Sequence, residues 1–362
     1  MNTSMKIASQ LGDYNVYFHR EYGFLDEILL KPNTCLIIDS NVASLYGDKI
    51  SFLKEHSKWC YVLNAEEKSK TLDEAQKIIS WIVESFSAKK NLNFVSIGGG
   101  ITQDVSGFVA SILFRGVPWT FIPTTLLAQC DSCIGGKTSI NFRHFKNLLG
   151  TFYPPREVHV FPLFTETLSP RDLQSGCGEI AKFLLMRAYE NNGGIDDVAS
   201  KLDGVLNDLR VREAAILESL KVKQSFICGD EFDRGRRNLL NYGHCFGHAL
   251  ETSSGYHVPH GIAVAIGMIF ANRGAVVRGL VKADFADSVN RLICGIIHQR
   301  QRKSDYAYEI LLGCIKNDKK RTGNGLPLVC PRENGLVLLK DLTEVQFRMA
   351  YELLLADIKD LF

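Results

Sequence analysis

The strongest constraint on this chain is a rhythm. Between residues 34 and 125 short apolar runs alternate with stretches of helical periodicity, and after Ser169 helix follows helix. Residues 34–38 (TCLII), 59–63 (WCYVL), 93–97 (NFVSI) and 119–122 (WTFI) read as strands. Residues 71–88 and 104–113 read as helices between them. Strand, helix, strand, helix predicts a parallel sheet with crossover helices. Later, residues 172–188, 205–228, 237–253, 260–278, 286–297 and 304–317 read as helices separated by short, often Gly-containing turns. The expected fold class is α/β, with an α/β domain at residues 1–165 and a mostly α-helical domain at 166–362.

Composition excludes several function classes. A chain of 362 residues, 46% hydrophobic and 23% charged, suits two globular domains with room for an enclosed cleft. The net charge is only +2 and Lys and Arg are spread along the chain, so there is no electrostatic case for nucleic acid or a membrane surface. No apolar run approaches the roughly 18 residues of a membrane span. The most hydrophobic run, residues 261–271, reads as too short. The first twenty residues lack the apolar core of a secretory signal, which makes a cytoplasmic protein the expectation. Ten scattered cysteines then read as reduced thiols. Cys130 and Cys133 form a CxxC with no second pair, and are expected to be packing residues of a tight loop. The basic stretch 300–303 (RQRK) reads as a solvated surface.

Three segments carry chemistry. Gly98-Gly99-Gly100 follows an apolar strand and opens a helix, a place where backbone can approach a phosphate. Asp39, at the end of an earlier strand, can accept hydrogen bonds from a ribose, and Glu67 and Lys70 lie in the next strand's loop. Residues 123–150 read as largely irregular and crowd Asp131, Lys137, Lys146 and Asn147 together, and the lysines suit a phosphate or carboxylate. Residues 238–260 hold four histidines. His244 and His248 are four apart and share a helix face, and His260 can fold back after a Gly-, Ser- and Pro-containing turn. Converging imidazoles suit a divalent metal.

Glu179 and Lys182 stand three apart among apolar residues. They read either as a plain helix-surface ion pair or as cleft-facing charges. Glu179 could complete a two-His, one-carboxylate catalytic zinc set with an open position. Lys182, Lys223, Arg237 and the Lys319-Lys320 pair add cations on separate helices and loops.

In their order and spacing, these motifs resemble the 3-dehydroquinate synthase family of sugar phosphate cyclases. The blocks are GGG at Gly98, FRGVPWTFIPTTLLAQCDSCIGGKT from Phe114, SGCGEIAK from Ser175, LLNYGHCFGHALE from Leu239 and HGIAVAIGM from His260. The resemblance implies a Rossmann-like NAD-binding N-terminal domain, a helical C-terminal domain holding zinc or cobalt, and an active site in the cleft between them. It implies Glu179, His244 and His260 as metal ligands, with His248 on the substrate. Asp131, Lys137, Asn147, Lys182, Lys223, Arg237, Asn241, Lys319 and Lys320 fall on substrate positions. Arg115 falls on an arginine that reaches a neighbouring subunit's site, which implies a homodimer. Asp39, Asn41, Glu67, Lys70, Gly99, Gly100, Asp104, Thr124, Thr125, Lys137, Lys146, Phe164 and Thr167 fall on NAD-contact positions.

The implied reaction takes a small phosphorylated sugar acid, 3-deoxy-D-arabino-heptulosonate 7-phosphate, to 3-dehydroquinate. It runs by transient oxidation, β-elimination of phosphate, reduction and aldol closure, within the shikimate pathway of aromatic amino acid biosynthesis. Three positions depart from the family: Gln103 for the usual Gly, Cys245 for Thr, and Ile262 for the Glu of an HGE motif. Ile262 keeps open a specialised cyclase of secondary metabolism. A metal-dependent alcohol or glycerol dehydrogenase and a non-catalytic pseudo-cyclase are the more distant readings.

Overall fold

A computed structural model describes residues 4–86, 91–143, 145–191, 193–316 and 325–362. The chain divides into two compact units, Met1–Leu168 and Ser169–Phe362. The sequence reading set this division at 165/166.

The first unit runs β1 (Ser4–Ile7), β2 (Tyr14–Phe18), α1 (Gly23–Leu29), β3 (Thr34–Asp39), α2 (Ser40–Tyr46), α3 (Ser51–Glu55), β4 (Cys60–Leu63), α4 (Leu72–Ser85), β5 (Asn93–Gly98), α5 (Gly100–Ile112) and β6 (Trp119–Pro123). It closes with β7 (Lys137–Phe142), β8 (Phe145–Phe152) and β9 (Glu157–Val160). Among the described residues the main sheet has seven strands in the order β1-β2-β9-β6-β5-β3-β4, parallel except for β1 against β2. All six residues of β3 are buried, as are all five of β6, because both faces of the sheet are covered. One face meets Phe24, Leu25, Ile28, Val42 and Tyr46 of α1 and α2, together with Phe161 and Phe164. The chain steps from β3 outward to β4, then returns to place β5 on the other side of β3. The winding therefore reverses between β3 and β5, and the crevice at their carboxyl ends is where open α/β sheets bind ligands.

Two expectations change in this unit. The helix expected at 104–113 begins at Gly100, with Gly99 as its N-cap. The region expected to be irregular contains a π-helical turn, Ala128–Ser132, and the antiparallel hairpin β7–β8, in which Ile140 pairs with Leu149. Gly135 and Gly136, at φ 98° and 66°, turn the chain into that hairpin.

The second unit runs α6 (Pro170–Glu190), α7 (Ile195–Leu202), α8 (Leu209–Ile227), α9 (His244–Ser253), α10 (His260–Val277), α11 (Ala283–Gly295) and α12 (Tyr308–Lys316). Hairpin β10 (Leu326–Arg332) and β11 (Gly335–Leu342) and helix α13 (Glu344–Asp357) follow, and none of these three was expected. Ser169 starts α6 by accepting from the Asp172 N–H at 3.2 Å. Helix α10 is the centre of the unit and packs against α9, α6, α11, α13 and β10. By length and composition it is apolar enough to span a membrane, contrary to the sequence reading, yet 83% of that window is buried. It is apolar all round because neighbours surround it. All ten cysteines are free, and Cys130 and Cys133 are fully buried.

Candidate active site

The helix expected over 237–253 is broken, and the break shapes the site. A 3-10 turn covers Arg236–Asn241, and Gly243 then takes the left-handed conformation at φ 79°. A Cβ there would also sit 2.5 Å from the Val264 carbonyl oxygen. The turn makes His244 the first residue of α9, so its ring stands at an open helix end. His260 is likewise the first residue of α10. Glu179, from the middle of α6, is fully buried between them. Its Oε1 lies 3.3 Å from His260 Nε2 and 3.6 Å from His244 Nε2. One donor atom from each of Glu179, His244 and His260 falls within 4.8 Å of the others.

The proton inventory of these rings follows from their partners. His244 Nδ1 lies 3.1 Å from the Tyr242 carbonyl, which can only accept, so Nδ1 carries the proton and Nε2 keeps its lone pair. Burial first, then the neighbouring Lys182 and His260, hold the His244 pKa well below its ordinary value. His260 Nδ1 lies 3.1 Å from Glu251 Oε2, another pure acceptor, so its Nε2 also faces Glu179. Burial alone would lower the His260 pKa, but Glu251 and Glu179 outweigh it and raise it to about 10. Burial would raise the Glu179 pKa, but Lys182 and His260 outweigh it and bring it down to about 2. Positive charge is favoured on His260 and disfavoured on His244.

Lys182 Nζ closes on Glu179 Oε2, yet neither Glu179 oxygen accepts a well-formed hydrogen bond from the described residues. A buried carboxylate with unfilled acceptors, faced by the Nε2 atoms of His244 and His260, fits a divalent metal of the zinc type, which would take the place of the proton that the raised His260 pKa puts on its Nε2.

The other expected residues of this unit have distinct places. His248 is on the same face of α9, its ring 5.4 Å from His244 and 5.9 Å from His260. Asn238, Asn241, His244, Cys245 and His248 line one cavity together with Leu338 and Lys340 of β11. Asn241 Nδ2 donates to the Asn238 carbonyl at 2.9 Å. Lys182, Lys223 and Arg237 are buried, at 1%, 7% and 3% exposure. The Arg237 guanidinium donates to the Glu231 carbonyl, and its backbone N–H donates to Asp230 Oδ2 at 2.8 Å. Lys319 and Lys320 lie outside the described residues. Glu251 and Lys340 had no place in the sequence reading of the site, and Cys245 entered it only as a departure from the family motif. Glu251 was legible as the residue three beyond His248 and seven beyond His244, on one helix face.

In the first unit, Asp39, Gly98 and Pro123 end the adjacent strands β3, β5 and β6. Asp39, Gly99, Gly100, Thr124 and Thr125 therefore gather at one carboxyl-end edge. A Cβ at Gly99 would sit 2.9 Å from Thr125 Cγ2, whereas at Gly100 the nearest atom would be Ser132 Oγ at 3.8 Å. The N-terminus of α5 thus stays open to a phosphate, which fits a dinucleotide. Asp39 Oδ1 accepts from the Asn41 N–H at 2.8 Å.

A second group is hydrogen-bonded together. Lys70 Nζ reaches Asp104 Oδ2 at 2.6 Å and Asn147 Oδ1 at 2.5 Å, and Ser139 Oγ reaches both at 2.9 Å. Asn141 Nδ2 donates to Glu67 Oε1 at 2.8 Å, and Lys146 lies 3.7 Å from the same carboxylate oxygen. Phe164 gives its ring to the core, and Thr167 Oγ1 is 2.9 Å from the Tyr46 hydroxyl. Asp131 sits in the π-helical turn, and Lys137 is exposed at the start of β7. Arg115 is exposed in a turn where Phe114 and Arg115 have φ of 50° and 69°. Gln103, where the family usually has Gly, exchanges two 2.6 Å hydrogen bonds with Ser132 and so ties α5 to the Asp131 turn.

Models of the 3-dehydroquinate synthase N-terminal and C-terminal domains match residues 60–175 and 176–321. A 3-dehydroquinate synthase of Streptococcus pneumoniae (strain JJA) is 34% identical over 321 residues, 87% of this chain and 89% of that one. The chain belongs to the 3-dehydroquinate synthase family. Solved structures place the fold in the same company. The 2-epi-5-epi-valiolone synthase of Streptomyces hygroscopicus subsp. jinggangensis 5008, solved with NAD+ and Zn2+, matches at TM-score 0.79 and 24% identity over 96% of this chain and 98% of that one. A 2-deoxy-scyllo-inosose synthase, complexed with carbaglucose-6-phosphate, NAD+ and Co2+, matches at TM-score 0.82 and 24% identity over 97% and 99%. At that identity the likeness establishes the fold that the family shares.

Proposed function

We propose that this chain is a 3-dehydroquinate synthase. The reading is carried by the buried Glu179 carboxylate facing the Nε2 atoms of His244 and His260 within a chain of that family. When bound, NAD supplies a hydride acceptor for the ring carbinol, and a zinc or cobalt ion supplies Lewis acidity beside it. The first unit would hold the dinucleotide over Gly99 and Gly100, with Asp39 toward the ribose. Glu179, His244 and His260 would hold the metal. His248 and Asn241, which line the cavity beside His244, orient the substrate. Lys182, Lys223 and Arg237 are buried cations suited to its carboxylate and phosphate. No lone strong base is needed, since the departing phosphate can itself take the proton.

The test is a substrate panel. Purified protein with NAD and zinc or cobalt is expected to release phosphate from the heptulosonate 7-phosphate and to form dehydroquinate. Inertness toward it, with turnover of sedoheptulose 7-phosphate or glucose 6-phosphate, would move the chain to a specialised cyclase. One feature favours that second reading: Ile262 is 1% exposed, an apolar core residue where the family has a glutamate.

The proposal extends to a cytoplasmic homodimer. Ten free thiols suit a reducing compartment. The exposed, left-handed Phe114-Arg115 turn suits a residue that serves a partner's site. Mixing checks this. Arg115→Ala and His244→Ala, each inactive alone, are expected to regain about a quarter of wild-type activity when unfolded and refolded together. Half the dimers are then hybrids with one intact site of two. No recovery, in mixtures shown to form hybrids, would place Arg115 in its own subunit's site.

A further inference from the structure

Glu251 lies behind the metal site and has no role in the reading above. The residue is 8% exposed, on the same face of α9 as His244 and His248. Oε2 lies 3.1 Å from His260 Nδ1, while the opposite nitrogen of that ring, Nε2, lies 3.3 Å from Glu179 Oε1. One imidazole is thus held between two carboxylates, one on each ring nitrogen. Ile262, the next side chain along α10 but one, is buried and offers no acceptor.

We infer that Glu251 is a positioning residue, whose carboxylate holds the Nδ1 proton of His260 so that the ring presents an unprotonated Nε2 to the metal beside Glu179 and His244. A neutral imidazole has one proton and two places for it, and only the Nδ1 tautomer can ligate through Nε2. A carboxylate on Nδ1 selects that tautomer, fixes the ring plane and makes Nε2 more basic. The Tyr242 carbonyl does the same for His244 at 3.1 Å, so the two histidines are set by the same device with different acceptors. Only the charged one can offset a positive ring-and-metal unit. His248, Glu251 and His260 also form a triad with donor atoms within 4.8 Å. A cation held there through His260 Nδ1 would compete with the proton that the hydrogen bond to Glu251 places on that nitrogen.

This inference rests on the metal-site reading, and the experiment separates the two. Zinc affinity of the full-length protein is measured by competition with a chromophoric chelator, with thermal melting in excess chelator as a folding control. Glu251→Ala, and Glu251→Met, which keeps the chain length without an acceptor, are expected to bind zinc about 10- to 100-fold more weakly than wild type. Glu251→Gln, whose amide oxygen can still accept from Nδ1–H, is expected to recover most of that loss. A purely structural role would lower melting temperature without this rescue. Wild-type zinc affinity in Glu251→Ala and Glu251→Met, beside a His244→Ala variant that has lost zinc, would overturn the role of Glu251 alone. Retention of zinc by His244→Ala would overturn the metal-site reading itself. A second zinc equivalent in wild type that both Glu251→Ala and Glu251→Gln lose would make Glu251 a direct ligand.

Discussion

His244→Ala is expected to emerge from dialysis folded but with less than about 0.1 equivalent of zinc, and to release phosphate at least ~10³-fold more slowly than wild type. The physical reason is the small number of donors. The site offers two imidazoles and one carboxylate, and the carboxylate already has Lys182 against it. Losing one imidazole leaves a single nitrogen to compensate for stripping water from the ion. A metal in such a site is worth several kcal/mol of transition-state stabilisation, and ~4 kcal/mol corresponds to about three decades in rate. The fold should survive, because position 244 opens a helix and alanine is a good helix former. Metal analysis alongside circular dichroism checks both halves. Unchanged metal content would remove His244 from the ligand set.

How much of this could be read beforehand depends on the pattern each element writes into the chain. Strands β3, β5 and β6 were legible because a parallel strand covered on both faces is a continuous apolar run, and β4, a partly exposed edge strand, was legible as a short apolar run. The hairpins β7–β8 and β10–β11 were not. Strand β7 reads KTSINF with a burial pattern that alternates, and at six residues polar alternation is indistinguishable from a loop. Residues 237–253 read as one helix because Leu239, Leu240, Tyr242 and Phe246 keep an apolar face. Periodicity cannot see that Gly243 is left-handed. That one residue changes the site. The break leaves the four-residue spacing of His244 and His248 intact within α9, but it makes His244 the first residue of that helix, with its Nε2 3.6 Å from Glu179 Oε1. The family motif named the trio of Glu179, His244 and His260, and spacing alone did not. Glu251 shares a helix face with His244 and His248, but the partner that gives it a role, His260, is on another helix.

The approach of α6 and α10 gives the other large effect. Glu179 and His260 each have a glycine next to them, Gly178 and Gly261, and those two glycines are where the helices meet. A Cβ on Gly178 would lie 2.1 Å from the Gly261 carbonyl oxygen, and a Cβ on Gly261 would lie 1.7 Å from the Ser175 carbonyl oxygen. Both obstacles are backbone, so no side-chain rotation relieves them, and the helices would have to part. The contact is also bonded, since the Gly261 N–H donates to Ser175 Oγ at 3.0 Å and so satisfies an otherwise orphaned donor in the first turn of α10. Gly261→Ala is therefore expected to cost about 3 kcal/mol or more, a fall in melting temperature of roughly 6–12 °C. It should weaken zinc binding at temperatures where the chain remains folded, because parting the helices carries His260 away from Glu179. Gly178→Ala should behave alike. An alanine at Gly279, whose Cβ would meet nothing within 4 Å, controls for glycine replacement as such, its strained φ of 67° being a local cost. If Gly261→Ala melted like wild type with zinc affinity intact, the glycine contact would have no part in building the site. The SGCGE and HGI motifs are then legible as one device. Each places a proposed metal ligand beside the glycine that brings the two side chains within reach of one ion.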